Sequence, residues 1–502
     1  MTGSTVTAAG RTSGHLLSID DPEGISALRE LFRAANYTEQ EIRRACAADT
    51  TEGIPRSDVP LIVRRLPPEG LLPTLIRLFM LEVRVDPAVA ARDLKPLTPE
   101  RLAAMGLVRS GPGGLESLVK FNPFDTLVLA SDPYFDDPLA VPADYVVGVN
   151  PSSVGLVALA VRRPARAALD LGTGCGVAAI YASRHCERVV ATDINPRALN
   201  FTAFNAALND VRNVDIRPGS LFEPVAGETF DLIMSNPPYV ISPDSDFQFR
   251  DSGAKDDSLC RTLVRELPRH LREGGFASVL CNWALRPGQR GSDPVREWIA
   301  GSGCDVLLIH SRTRTPLEYA GDWNRPLLPK RPREYEASID RWTGYFRREG
   351  IEGLASGGVI MRRRSAGPTW TAPEDFPLCS DAATSDQILR IFEARAWLAG
   401  EPDLSAAAFR PVEDLAFEQV VSFQEGGLAL RDIRFSVARG FKIGGTMDGR
   451  SMALLGNCDG KRRLGEIVDE LAPTGPPEAK EVRGKLLEGV RRLYAMGLLI
   501  RS

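Results

Sequence analysis

Apolar and polar positions divide this chain into stretches of different rhythm. From about Pro22 to Leu107 the rhythm is helical: GISALRELFRAANYTEQEIRRAC and PTLIRLFMLEV space their apolar residues three and four apart. TPERLAAMGLV predicts a capped helix running into a short strand, with Thr98 as the N-cap and Pro99 in the first turn. Short helices that end in a strand suit a winged-helix-like module. Between about Leu118 and Val161, prolines and acidic residues punctuate short β-prone runs, which predicts an irregular connection into a larger fold.

From Ala165 to about Arg364 the period switches back and forth. AALDLG, RVVATDI, VDIRPG, FDLIMSN, FASVLCNWA and DVLLIHS predict strands. GVAAIYASRH, PRALNFTAFNAALN, LCRTLVRELPRHLREG and DPVREWIAGSG predict the helices between them. Strands separated by helices predict an α/β unit with a mainly parallel sheet covered on both faces. GGVIMRRR supplies a last strand after an insertion at about 321–353, which carries a helical REYEASIDRWTGYFRREG. AGPTWTAPEDFP predicts a linker at 366–377. Beyond it, two amphipathic helices and a short strand end the chain. The resulting division is a disordered tail (1–20), an N-terminal helical, winged-helix-like domain (21–117), a central domain (118–365), the linker, and a C-terminal α+β, winged-helix-like domain (378–502).

Composition narrows the class without naming a chemistry. The chain has 502 residues, room for roughly three domains. A formal net charge of −4 gives no global attraction to nucleic acid. The 8 cysteines are scattered with no C-x-x-C pair, and the 4 histidines are dispersed, so spacing proposes no metal site. Scattered thiols fit a reducing cytoplasm. The first residues lack the basic segment and apolar core of a signal peptide. No apolar run approaches the roughly 20 residues needed to cross a bilayer, so no membrane partner is expected.

ALDLGTGCGVAAIYAS carries the strongest chemical signal. A strand delivers Asp170, and the chain turns through Gly172, Thr173, Gly174 and Gly176 into a helix, so that a ligand can lie against bare backbone. A second strand ends about 20 residues later in Asp193, whose carboxylate can accept both hydroxyls of an adenosine ribose. The glycines are spaced G-x-G-x-G, unlike the G-x-G-x-x-G of dinucleotide sites, and Asp170 beside them would repel a pyrophosphate. That disfavours a nicotinamide oxidoreductase and suits a cationic, amino-acid-bearing ligand.

This segment resembles the class I S-adenosyl-L-methionine-dependent methyltransferases. The resemblance implies a Rossmann-like domain with a mainly parallel seven-stranded sheet across the central region. It implies that Asp170 and the Gly172–Gly176 loop line the methionine moiety, that Asp193 holds the ribose, and that Ile194 lies beside the adenine. Gly219–Phe222 reads GSLF where the family often has G-D-L-F, so Ser220 and Leu221 are expected near the adenine, with a hydroxyl replacing the usual carboxylate.

FDLIMSNPPYVISP adds the second signal. Asn236, Pro237, Pro238 and Tyr239 follow a strand, and the two prolines stiffen the chain there. An amide or nucleobase amino nitrogen is a poor nucleophile because its lone pair is delocalised. Two acceptors gripping its N–H bonds, the Asn236 side-chain oxygen and the Pro237 carbonyl, would favour a pyramidal nitrogen and strengthen as those bonds acidify. Tyr239 offers a flat face for stacking. The tetrapeptide resembles that of N-methyltransferases acting on planar nitrogens: protein-glutamine methyltransferases of the release-factor type and adenine or guanine N-methyltransferases, including the small-domain ribosomal-RNA enzymes. The resemblance implies a protein substrate, glutamine ahead of a nucleobase in structured RNA or DNA, with a noncatalytic cofactor-binding protein as the reading from another class. The sequence sets no oligomeric state.

Overall fold

The computed structural model describes residues 14–48, 54–244, 250–251, 256–378, 381–424, 427–472 and 478–502. The N-terminal part is helical, as its rhythm predicts, starting with α1 (Pro22–Ala34), which Asp21 caps through the Gly24 N–H. Thr98 caps its own helix through the Arg101 N–H, with Pro99 in the first turn. The expected tail, 1–20, does not hold for its described end. Residues 1–13 lie outside the described ones, and Leu17 is buried, its backbone N–H and C=O both bonded to the Asn200 side-chain amide.

The stretch read as an irregular connection is more ordered than its prolines suggest. It holds a hairpin, Lys120–Phe124 against Leu127–Ser131, and a helix, α2 (Pro151–Leu159). Asn150 caps α2 and Pro151 opens it. Between hairpin and helix a loop, 132–148, is tied down by a buried ion pair between Asp132 and Arg197. Asp132 also accepts the Val146 N–H at 2.7 Å.

The centre is a single eight-stranded sheet. Its strands are β1 (Ala165–Leu171), β2 (Cys186–Asp193), β3 (Val214–Pro218), β4 (Phe230–Ser235), β5 (Leu271–Leu285), β6 (Cys304–Arg314), β7 (Gly353–Arg363) and β8 (Thr371–Asp375). They lie in the order β3-β2-β1-β4-β5-β7-β6-β8. β7 runs antiparallel to β5 and β6, and the other pairings are parallel. Helices α3 (Val177–Ala182), α4 (Pro196–Leu208) and α5 (Ser258–His270) connect successive strands. Alternate residues of β1 enter different cores: Ala168 faces one cluster with α3 and α4, while Leu169 and Leu171 join the other with α5. Burial on both faces is what a continuous apolar strand requires.

Two expectations need correction here. The sheet has eight strands, not seven, and the extra one comes from inside the segment read as a linker. Thr371–Asp375 pairs with β6 from Val306↔Thr371 to His310↔Asp375. Proline at 373 is compatible with an edge strand, which needs its N–H groups on one side only. The insertion between β6 and β7 begins earlier than 321, with α6 (Pro316–Asn324) capped by a Thr315–Glu318 capping box, followed by α7 (Pro332–Arg348). The C-terminal part starts with α8 (Thr384–Leu398) and ends in helix Glu478–Ala495 and strand Leu499–Arg501. It also holds a long hairpin, Leu415–Gln424 against Gly427–Val437, which helical rhythm did not announce.

Candidate active site

β1, β2, β3 and β4 all end at one edge of the sheet, and each contributes a corner there. β1 turns at Gly172, Gly174 and Gly176, whose φ angles of 75°, 56° and 85° are in the left-handed region that favours glycine. A Cβ on Gly172 or Gly174 would meet nothing within 4 Å, so the loop's outer side is open. Gly176 differs: a Cβ there would press on Thr202 at 3.1 Å, so this glycine serves close packing of α3 on α4.

Asp170 braces the loop from inside. Its carboxylate accepts the Thr173 hydroxyl at 2.7 Å and the Ala179 N–H at 3.0 Å. Burial pushes its carboxyl up to about 6, against the opposing effect of those two donors. Asp193, at the end of β2, accepts the Gly174 N–H at 3.0 Å and the Asn195 N–H at 2.9 Å, one on each oxygen. Burial raises its carboxyl as well. Each oxygen keeps a lone pair, so this carboxylate can still accept a pair of hydroxyls. Ile194 next to it is an apolar side chain that is 60% exposed. After β3 the chain turns at Gly219, Ser220 is exposed, and Leu221 sits half-buried at a φ of 46°.

Asn236–Tyr239 leave the end of β4, and β4 is the direct neighbour of β1. Ser235 pairs with Leu171, and its hydroxyl donates to the Leu171 carbonyl at 2.8 Å. The proline-stiffened corner and the glycine corner therefore emerge side by side. Pro237 is buried. Tyr239 is half-buried, and burial raises its phenol. Asn236 donates through Nδ2 to the Ser152 hydroxyl at 3.1 Å, while its Oδ1 is buried with no protein partner. A buried acceptor without a donor costs roughly 1–3 kcal/mol, a penalty kept where a ligand is to supply the donor.

The insertion walls the site on its far side. Val240 and Ile241, just past Tyr239, pack on Tyr319, Trp342 and Phe346 of α6 and α7. The Tyr319 hydroxyl accepts the Ile241 N–H at 3.1 Å and the Asn282 amide at 2.8 Å. Trp342 and Arg341 both hold Asp244. Loop 132–148 stands on the opposite side, held by the Asn195 amide on the Asp144 carbonyl at 3.0 Å.

The structure thus brings Asp170, Gly172, Thr173, Gly174, Gly176, Asp193, Ile194, Ser220, Leu221 and Asn236–Tyr239 to one sheet edge. Sequence reasoning missed Asn150 and Ser152 at the start of α2. Their signal was present: Asn-Pro ahead of an apolar run is a helix start. Among the described residues no group of three or more His, Cys, Asp or Glu could hold a metal ion. No described helix is long and apolar enough to cross a membrane.

An open glycine corner between two carboxylates, beside an orphaned amide oxygen, fits a cofactor with a ribose and an amino-acid end. The fold and this corner define a class I methyltransferase domain. A model of the methyltransferase small domain matches residues 149–289, and a domain of unknown function (DUF7059) matches residues 34–118. A release factor glutamine methyltransferase of Xylella fastidiosa is 37% identical over 132 residues, 24% of this chain and 47% of that protein. One from Geobacter sulfurreducens is 31% identical over 37% of this chain and 67% of its own length. A ribosomal RNA small subunit methyltransferase C of Alcanivorax borkumensis is 26% identical over 29% of this chain and 39% of its own. The chain belongs to the class I, small-domain methyltransferase family, and it spans about half the length of the relative first named.

Proposed function

We propose that this protein is an S-adenosyl-L-methionine-dependent N-methyltransferase whose acceptor is a planar amide nitrogen, that of a protein glutamine. The observation that carries the reading is the buried, unpartnered Oδ1 of Asn236 beside the open glycine corner. When bound, S-adenosyl-L-methionine supplies an electrophilic methyl on a sulfonium. Asp193 would hold the ribose hydroxyls, the Gly172–Gly174 backbone the amino-acid end, and Ile194 with Leu221 the adenine, with Ser220 at its edge.

The chain's own part in the chemistry is to prepare the nitrogen. Asn236 Oδ1 and the Pro237 carbonyl accept its two N–H bonds, Pro238 keeps that carbonyl aimed, and Tyr239 gives the amide plane a face to rest on. The nitrogen's lone pair is then turned toward the glycine corner, at a distance set by two adjacent strands. The nitrogen gains a methyl and loses one proton to solvent, so no strong base is required. Names of relatives that act on release factors support the glutamine acceptor. The ribosomal-RNA relative supports a nucleobase as the second reading.

Incubating the protein with methyl-labelled cofactor and fractionated cell extract separates the two. Label in protein, with weak salt dependence, supports glutamine. Label in RNA, with affinity falling steeply as salt rises, supports the nucleobase. Asn236→Ala is expected to bind S-adenosylhomocysteine as the parent does and to lose methyl transfer by about a hundredfold or more. Asp193→Ala is expected to weaken that binding instead, read by calorimetric titration. Full turnover in both variants would refute the site.

A further inference from the structure

Ser152 lies outside both corners, yet the Asn236 side chain of the proline-stiffened motif is tied to it: Asn236 Nδ2 is 3.1 Å from its hydroxyl oxygen. The direction of this bond follows from proton counting. Asn150 Oδ1 accepts the backbone N–H groups of Ser152 at 2.9 Å and Ser153 at 3.1 Å, so that atom must be the oxygen. Its amide nitrogen donates to the Gly148 carbonyl at 3.1 Å, which fixes the same orientation from the other end. The Ser152 hydroxyl sits 2.6 Å from Asn150 Oδ1 and has one proton, which it must give there.

Ser152 Oγ is therefore left as an acceptor only. Asn236 must present its NH2 group to it. An amide's two ends are otherwise nearly isosteric, and their orientation is set by the bonds around them. Here a chain anchored in two backbone N–H groups at the start of α2 decides that Oδ1, not Nδ2, is left free in the site.

We infer that Ser152 is a positioning residue for methyl transfer: with Asn150 behind it, it locks the Asn236 amide with its oxygen toward the acceptor. This rests on the reading of Asn236 as the group that grips the acceptor N–H. It adds that the grip is set from α2, a different element, and that it depends on a hydroxyl rather than on bulk. Without the hydroxyl the amide can turn its NH2 inward, toward the donors of the acceptor, where it repels them.

The test uses the full chain, methyl-tritiated S-adenosyl-L-methionine at saturation and increasing amounts of cell extract, with initial label incorporation as the readout. Ser152→Ala is expected to lower maximal incorporation roughly ten- to a hundredfold, as for a misplaced reacting group. The extract concentration at half-maximal rate and the calorimetric affinity for S-adenosylhomocysteine should stay within about threefold, the scale of one exposed hydrogen bond or less. Ser152→Thr, which keeps the hydroxyl, should restore most of the rate, and Ser152→Cys, a weaker acceptor, should fall between. That order among Thr, Cys and Ala supports the inference. Should the alanine variant not fold, the Thr and Cys variants decide it alone. Equal rates in all three, or loss of S-adenosylhomocysteine binding in step with the rate, would overturn it. Ser152→Ala active with Asn236→Ala inactive removes the role of Ser152 only; activity in both removes the underlying reading of Asn236.

Discussion

Asp170 is a buried carboxylate, and its ionisation has a cost that depends on pH. Burial holds its carboxyl near 6 in the folded chain, above the ordinary value near 4 in an unfolded one. The folded state thus binds this proton more tightly. The cost is absent below about pH 4, grows as pH rises through 6, and is complete above that. Asp170→Asn keeps an oxygen for Thr173 and Ala179 and removes the charge. It is expected to stabilise the cofactor-free protein by about 1–3 kcal/mol at pH 7.5, with the gain gone by about pH 4. Thermal melts across that range check it. The ammonium of a bound amino-acid end favours the ionised form, so S-adenosylhomocysteine affinity should drop below about pH 6 in the parent and not in the variant.

Among the connecting elements, the lock between loop 132–148 and α4 has the clearest energetic signature. Both members of the Asp132–Arg197 pair are buried, and one Arg197 nitrogen, Nη1, has no partner. Asp132→Ala leaves the guanidinium uncompensated and is expected to cost roughly 3–5 kcal/mol, read by urea denaturation. Replacing both members with apolar residues of similar volume should recover much of that loss.

At this same scale one sees what could be read from residue order and what could not. β1, β2 and β4 announce themselves as apolar runs, and the glycine and Asn-Pro-Pro-Tyr corners carry their chemistry in a few adjacent letters. Residues that act by proximity in sequence are legible in it. Ser152 acts across 84 positions on Asn236, so its role exists only once β1, β4 and α2 are packed. β8 was hidden for a different reason. Its proline and charges are those of a linker, and only the free edge of β6 makes a strand of it. The long hairpin beyond α8 was hidden because its pairing depends on a partner strand rather than on its own period.

For the whole molecule, the N-terminal helices are no appendage. Phe32 and Phe79 stack edge-on to Phe121 at 4.9 and 5.0 Å, and Phe121 reaches Phe204 of α4 at 6.4 Å. Arg29 of α1 donates to the Ala207 and Leu208 carbonyls at the end of α4, where a cation complements the helix dipole. One apolar cluster runs from Leu17 through the sheet to Phe392 of α8. Deleting residues 1–117 would bare Phe121 and its surroundings, and the remainder is expected to bind a hydrophobic dye strongly and to lose its sharp thermal transition. The final part of the chain has a smaller core of its own, from Leu404 to Leu499, whose helices touch α8 through Trp397 and Tyr494.

β8 gives this architecture a practical boundary. A catalytic half trimmed at residue 365, where the resemblance to other methyltransferases would invite a cut, leaves β6 with a row of unanswered N–H and C=O groups. Such a fragment carries an adhesive rim and will tend to clump through it. The smallest self-sufficient version of the sheet ends beyond Phe376, which packs on Phe441, so the terminal segment is stitched to the enzyme's flank and not merely tethered behind it.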